Sequence, residues 1–128
     1  MVPLEIITVA ESKSGRNKPV PLIKKEEAER ISSKYKQGDI IILLDEAGEH
    51  MRSGDFADLI RKTMNTGPKR IVFVTGGARG LDKGLREKAD RVMSLSLMTF
   101  PHQLVRLLFA EQLYRAFTII RGIPYHND

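Results

Sequence analysis

Four short apolar runs punctuate the chain: Leu4-Glu5-Ile6-Ile7-Thr8-Val9, Asp39-Ile40-Ile41-Ile42-Leu43-Leu44, Arg70-Ile71-Val72-Phe73-Val74-Thr75 and Val92-Met93-Ser94-Leu95-Ser96-Leu97. The second and third are almost unbroken and rich in β-branched residues, the pattern of strands covered on both faces, as in a parallel sheet. The first and last alternate more and fit positions nearer a sheet edge. Patterns of helical period separate the runs. From Leu22 to Tyr35, Ala28, Ile31 and Tyr35 share one stripe while Lys24, Lys25, Glu29 and Lys34 lie elsewhere. Ser53 is a candidate cap for the next helix. There Phe56, Leu59, Ile60, Thr63 and Met64 keep one face until Gly67-Pro68 stops it. Asp82 can cap a short polar helix running through Leu85 to Asp90. The order β-α-β-α-β-α-β-α predicts an α/β fold with a parallel sheet and helical crossovers.

The last helix, from about Pro101 to Arg121, has a different pattern. Leu104, Leu107, Leu108, Phe109, Leu113, Tyr114, Phe117, Ile119 and Ile120 surround the cylinder instead of forming one stripe. Arg106, Glu111, Arg115 and Arg121 interrupt it, which argues against a membrane span. A helix that is apolar all round in a small domain has two surfaces to pack on. One is its own sheet; the other is a partner subunit, giving a homodimer, or further chain of the same monomer.

Composition narrows the chemistry. The 128 residues fit a single domain spanning 1–128, and 41% hydrophobic with 29% charged residues is an ordinary globular mixture, not a disordered one. The chain has no Cys, which excludes disulfides, thiolate zinc sites, iron–sulfur clusters and cysteine nucleophiles. His50, His102 and His126 are far apart in sequence, so no metal site is expected. The start MVPLEIITVAE lacks the basic and long apolar regions of a signal peptide, and a cytoplasmic location is the expectation. A net charge of +5 fits a nucleic-acid partner and fits solubility charge equally well.

Ligands of open α/β sheets bind beyond the carboxyl ends of the strands. Three strand ends are distinctive here: Leu44-Asp45-Glu46-Ala47-Gly48, Thr75-Gly76-Gly77-Ala78-Arg79-Gly80, and Ser96-Leu97-Met98-Thr99-Phe100-Pro101-His102. The glycine turn would let a flat ligand approach the backbone, but it is neither a Walker loop nor a dinucleotide turn. A plain strand-to-helix turn explains it as well. Asp45 and Glu46 read equally as a solvated turn, the Ser and Thr side chains as local backbone partners, and His102 as a structural residue at a helix start. No Ser-His-Asp order or carboxylate dyad supports a hydrolase.

Together, LLDEAG, VTGGARGL and SLSLMTFPHQLVRLLFAEQLYRAFTIIRGIPYH resemble the ribosomal RNA pseudouridine-N3 methyltransferases, the RlmH family of the SPOUT superfamily. The match is continuous from Leu95 to His126, and the wider likeness runs from Leu4 to the end. The resemblance implies a parallel-sheet α/β SPOUT-type domain with a C-terminal trefoil knot, an exception to the rule of unknotted connections. It implies S-adenosyl-L-methionine bent in that knot, held by Leu44, Gly77, Ser96, Leu97, Met98, Thr99, Phe100 and Pro101, with Leu44, Leu97 and Met98 sandwiching the adenine. Two subunits would pair through the C-terminal helix, each completing the other's site. The acceptor would be N3 of a pseudouridine in 23S rRNA, on an assembled ribosome.

A sulfonium methyl is already a good electrophile, so such an enzyme chiefly aligns the acceptor nitrogen and assists loss of its proton. Within that reading His102, Tyr125 and His126 are the polar side chains for the acceptor, with His126 first for contact or proton handling. Arg106, Arg115, Lys13, Arg16 and Lys18 would contact phosphates; helix solvation or ion pairing is the plainer role for each. Two departures from the family pattern stand out. The pattern opens with a strand and a helix before the position of Leu4, which leaves an exposed sheet edge here. It also places a basic residue where this chain has Asn127. A SPOUT-like RNA-binding homodimer without turnover is therefore the alternative, and a purely structural homodimer the plainest one.

Overall fold

The computed structural model describes residues 2–9, 18–76 and 80–127. Its elements run α1 (Val20–Ser32), β1 (Ile40–His50), α2 (Ser53–Asn65), β2 (Ile71–Thr75), α3 (Lys83–Lys88), β3 (Arg91–Ser94) and α4 (His102–Arg121). The three strands form one parallel sheet in the order β2-β1-β3. The central strand explains the unbroken apolar run. Ile41 and Leu43 point into a core with Ala28, Val74, Leu81 and Leu85, on the side of α1 and α3. Ile42 and Leu44 point the other way, into a core with Phe56, Ile60, Met93, Leu113 and Ala116, on the side of α2 and α4. With both faces buried, no position in the run can be polar. Successive crossovers step in opposite directions across β1, and the preference for right-handed connections then puts α2 and α3 on opposite faces.

Phe56, Phe73 and Phe109 tie α2, β2 and α4 together, with ring centroids 6.0 Å (Phe56–Phe73), 6.1 Å (Phe56–Phe109) and 4.8 Å (Phe73–Phe109) apart. At the opposite end of the sheet Arg70 grips Asp39 through Nε at 2.9 Å and Nη2 at 2.5 Å, and also donates to the Lys34 carbonyl. The Arg70 hydrogen bond holds the buried Asp39 carboxyl below the ordinary aspartate range. Asp90 completes that end by accepting from the Ile41 N–H at 2.7 Å.

The expected strand at Leu4–Val9 does not form. Residues 2–9 pair with no described strand, and Leu4 and Ile6 stand 66% and 79% exposed. Strand propensity is realised only through a ladder partner, and neither edge of the sheet takes this segment. Helix boundaries hold within a few residues. Asp82 does cap α3, accepting from the Gly84 N–H at 2.8 Å. Ser53 does not cap α2: it is the first helical residue, Asp55 accepts from the Arg52 N–H, and the Ser53 hydroxyl donates to Gln112 on α4.

β1 also runs further than its apolar run, to His50. Leu44 lies opposite Met93; the chain then bulges through Asp45–Gly48, and Glu49 lies opposite Met93 again. Gly48 makes that possible. A Cβ there would sit 2.6 Å from the Met93 carbonyl carbon and 2.7 Å from its nitrogen, both backbone atoms with nowhere to go. Gly48→Ala is therefore expected to push β1 and β3 apart at a cost of about 1–3 kcal/mol. Urea unfolding checks this, with Gly54→Ala, where a Cβ meets nothing within 4 Å, as the control.

Candidate functional site

A cleft of about 720 Å³ opens at the carboxyl end of the sheet. Three segments line it: Leu44-Asp45-Glu46 in β1 beyond its apolar run, Gly76 with Gly80 and Leu81 after β2, and Ser94–Ser96 with Met98–His102 from the end of β3 to the start of α4, with Val105 and Leu108 of α4 at the back. The volume suits a nucleotide-sized ligand. Few side chains intrude. A Cβ at Gly76 would press on the Leu81 side chain at 3.0 Å, and Gly80 adopts a φ of +79° that favours glycine. The loop after β3 is held by its own hydroxyls. Ser94 donates to the Ser96 carbonyl at 2.9 Å, and Ser96 Oγ accepts from the Met98 N–H at 2.9 Å. That tight turn directs Leu97 away from the cleft, 76% exposed. One rim is clamped by Arg86 of α3, whose Nη2 lies 2.5 Å from Asp45 Oδ2.

Of the residues expected to hold a cofactor, Leu44, Ser96, Met98, Thr99, Phe100 and Pro101 line this cleft, and so does His102. Leu97 does not. Gly77 lies outside the described residues, between the lining positions Gly76 and Gly80. Among the expected cationic residues, Lys13 and Arg16 also lie outside them; Lys18 pairs with Glu26 at 3.2 Å, and Arg106 is exposed on α4.

Tyr125 and His126 lie elsewhere. Gly122, at a left-handed φ of +68°, ends α4 and turns the tail back along it. Arg115 then contacts both tail residues. Its Nη1 is 2.9 Å from His126 Nδ1, and its guanidinium sits 4.9 Å from the Tyr125 ring centroid. Glu111 holds Arg115 in turn, accepting from Nε at 2.9 Å and Nη2 at 2.7 Å, and it also accepts from the Tyr125 hydroxyl and from Gln112. Gln112 accepts from Ser53, so the network reaches α2. Arg115 and His102 are thirteen positions apart on one helix, or about 20 Å. Neither Tyr125 nor His126 lines the cleft, although Leu108 at its back is only three positions from Glu111, which the Tyr125 hydroxyl contacts.

The family model described as "Predicted SPOUT methyltransferase" matches residues 1–126. This chain belongs to the SPOUT methyltransferase family. It is 42% identical over 127 residues to the ribosomal RNA large subunit methyltransferase H of Bacteroides thetaiotaomicron, an alignment covering 99% of this chain and 81% of that protein. The protein of the same name from Christiangramia forsetii is 44% identical over 126 residues, 98% of this chain and 80% of its own length. That of Flavobacterium johnsoniae is 47% identical over 125 residues, 98% and 78% respectively. Among the described residues of this SPOUT methyltransferase no group of acidic and His side chains could hold a metal ion, and no helix is long and apolar enough to cross a membrane.

Sequence reasoning missed Glu111, Gln112 and Asp45 as organising residues of this SPOUT fold. The i,i+4 spacing of Glu111 and Arg115 was the available signal. Their hydrogen bond, chiefly, holds the Glu111 carboxyl below the ordinary glutamate range. A folded-state value depressed in this way contributes stability above the unfolded value, and the contribution is lost as pH falls through the folded value. Wild type is thus expected to be more stable than Glu111→Gln at neutral pH, with the gap closing only in acid below the ordinary glutamate range. Urea unfolding at a series of pH values measures that gap.

Proposed function

We propose that the chain is an S-adenosyl-L-methionine-dependent methyltransferase of large-subunit ribosomal RNA. It modifies N3 of a pseudouridine in 23S rRNA on the assembled ribosome, and it works in the cytoplasm as a homodimer with a trefoil-knotted cofactor loop. The observation that carries this reading is the cleft at the carboxyl end of the sheet, lined by three loops of one SPOUT domain whose full-length relatives are named as rRNA methyltransferases. Its donor set suits an adenosyl group. Leu44 and Met98 offer apolar surface for a flat ring, Gly80 has no side chain to obstruct its approach, and Thr99, Phe100 and Pro101 border the cleft where the ring's edge would lie. Bound there, S-adenosyl-L-methionine supplies a methyl on a sulfonium, ready for direct transfer to nitrogen.

The chain's own residues bind, orient and shield. His102 and the start of α4 border the cleft where an acceptor base would enter. His126 and Tyr125, which do not line their own cleft, serve the acceptor from the partner subunit, each subunit completing the other's site. The outer face of that helix supports pairing: Leu104, Leu107 and Tyr114 are exposed there, the last two by 66% and 57%. A base taken from a stem must be unstacked at a cost of a few kcal/mol, and the cationic surface, Arg106 included, offsets part of it through phosphate contacts.

Calorimetric titration with S-adenosyl-L-methionine is expected to give one site per subunit. Absence of heat and of any thermal shift at saturating concentration would reject the reading, and binding without methylation of ribosomes lacking the modification would point to an RNA-binding homodimer without turnover. A mixing experiment tests the shared site. Thr99→Trp, which fills the cleft, and His126→Ala, which removes the tail imidazole, are each expected to lose most transfer alone, whereas mixed dimers regain activity by pairing an intact cleft with an intact tail.

A further inference from the structure

The tail network assigns a proton. Arg115 has only N–H donors and stays cationic at any working pH, so a hydrogen bond between its Nη1 and His126 Nδ1 requires that nitrogen to accept. The neutral imidazole then carries its hydrogen on Nε2. Arg115 has no freedom to swing away. Its Nε and Nη2 are committed to Glu111, and its guanidinium carbon lies over the Tyr125 ring. Tyr125 is braced against the Tyr114 ring at a 4.9 Å centroid distance and donates to Glu111. Glu111 is in turn tied through Gln112 to Ser53 at the start of α2. The imidazole's orientation is therefore anchored to a second helix.

From this we infer that Arg115 is the positioning residue that fixes the tautomer of His126, and that His126 meets its target as an Nε2–H hydrogen-bond donor and not as a base. The role in transfer rests on the methyltransferase reading above; the tautomer does not. An imide acceptor suits such a donor. Its ring nitrogen is flanked by carbonyl oxygens, and negative charge grows on them as the nitrogen loses its proton. A fixed N–H aimed at one of these oxygens stabilises that charge. The balance is simple. The acceptor N3 proton leaves to water, the N3–C bond forms, and the C–S bond breaks with its electron pair left on sulfur. His126 keeps its own proton throughout.

Long-range nitrogen–proton correlation spectra of the unliganded dimer read the tautomer directly. The expected result near neutral pH is a single His126 form with an unprotonated Nδ1 and a protonated Nε2. A proton on Nδ1 in the wild type would overturn the inference with no variant needed. In Arg115→Met, His126 should become a mixture of tautomers and single-turnover transfer should fall about a hundredfold, with cofactor affinity unchanged. Arg115→Lys, which keeps a donor-only cation, should recover part of the rate and the single tautomer. A wild-type rate in Arg115→Met, or a lost rate with the tautomer intact, would remove Arg115 from this role. If the wild type binds no cofactor and methylates nothing, the functional reading fails, while the wild-type spectrum still decides the tautomer assignment.

Discussion

The whole arrangement depends on β1 being covered on two sides. Its alternate residues enter two separate cores, so the strand can neither slip by one position nor rotate without placing every buried side chain in the wrong layer. Because β1 is fixed, its carboxyl end is fixed, and Leu44 becomes the reference point from which the cleft is built. β2 and β3 are registered against it, Thr75 beside Leu44 on one side and Met93 on the other. The loops that leave those strands must then converge. In this way a demand of the hydrophobic core determines where a small molecule can be held.

Polar devices refine what the core imposes. At the far end of the sheet, Asp39 with Arg70 and Asp90 with Ile41 close the strand starts. At the cleft end, Asp45 with Arg86 secures one rim and the Ser94–Ser96–Met98 hydrogen bonds secure another. Further along α4, Glu111 gathers Arg115, Gln112 and Tyr125 on one carboxylate. Each contact is modest taken singly, since a hydrogen bond or ion pair in a protein replaces contacts with water. Their value lies in direction: they decide which atoms face which way once the apolar residues have settled the layers.

Much of the fold was legible in the chain because burial on both faces writes itself as unbroken apolar sequence. Ile40–Leu44 and Ile71–Thr75 are strands for that reason, and the three cleft segments could be named from the residues that follow the strands. Features that depend on partners were not legible. Leu4–Val9 has the alternation of a strand, but alternation cannot supply a neighbour. The extension of β1 to His50 runs through polar Asp45–Gly48, and it exists because one residue lacks a side chain at a backbone contact. Leu97 reads as an apolar cleft residue, yet a hydroxyl-bonded turn points it outward. The contact between Arg115 and His126 is eleven positions long and requires the left-handed turn at Gly122, which no helical period encodes.

α4 also acts as a ruler. Its N-terminal residue borders the cleft and its middle turns, from Glu111 to Arg115, carry the network that holds the tail, with no break in the helix between them. Inserting one residue into its middle would advance the tail by 1.5 Å and swing it about 100° around the axis. Substitutions at positions outside the tail network and the pairing face leave this spacing intact, whereas a change of length preserves the facing of both ends only in whole turns.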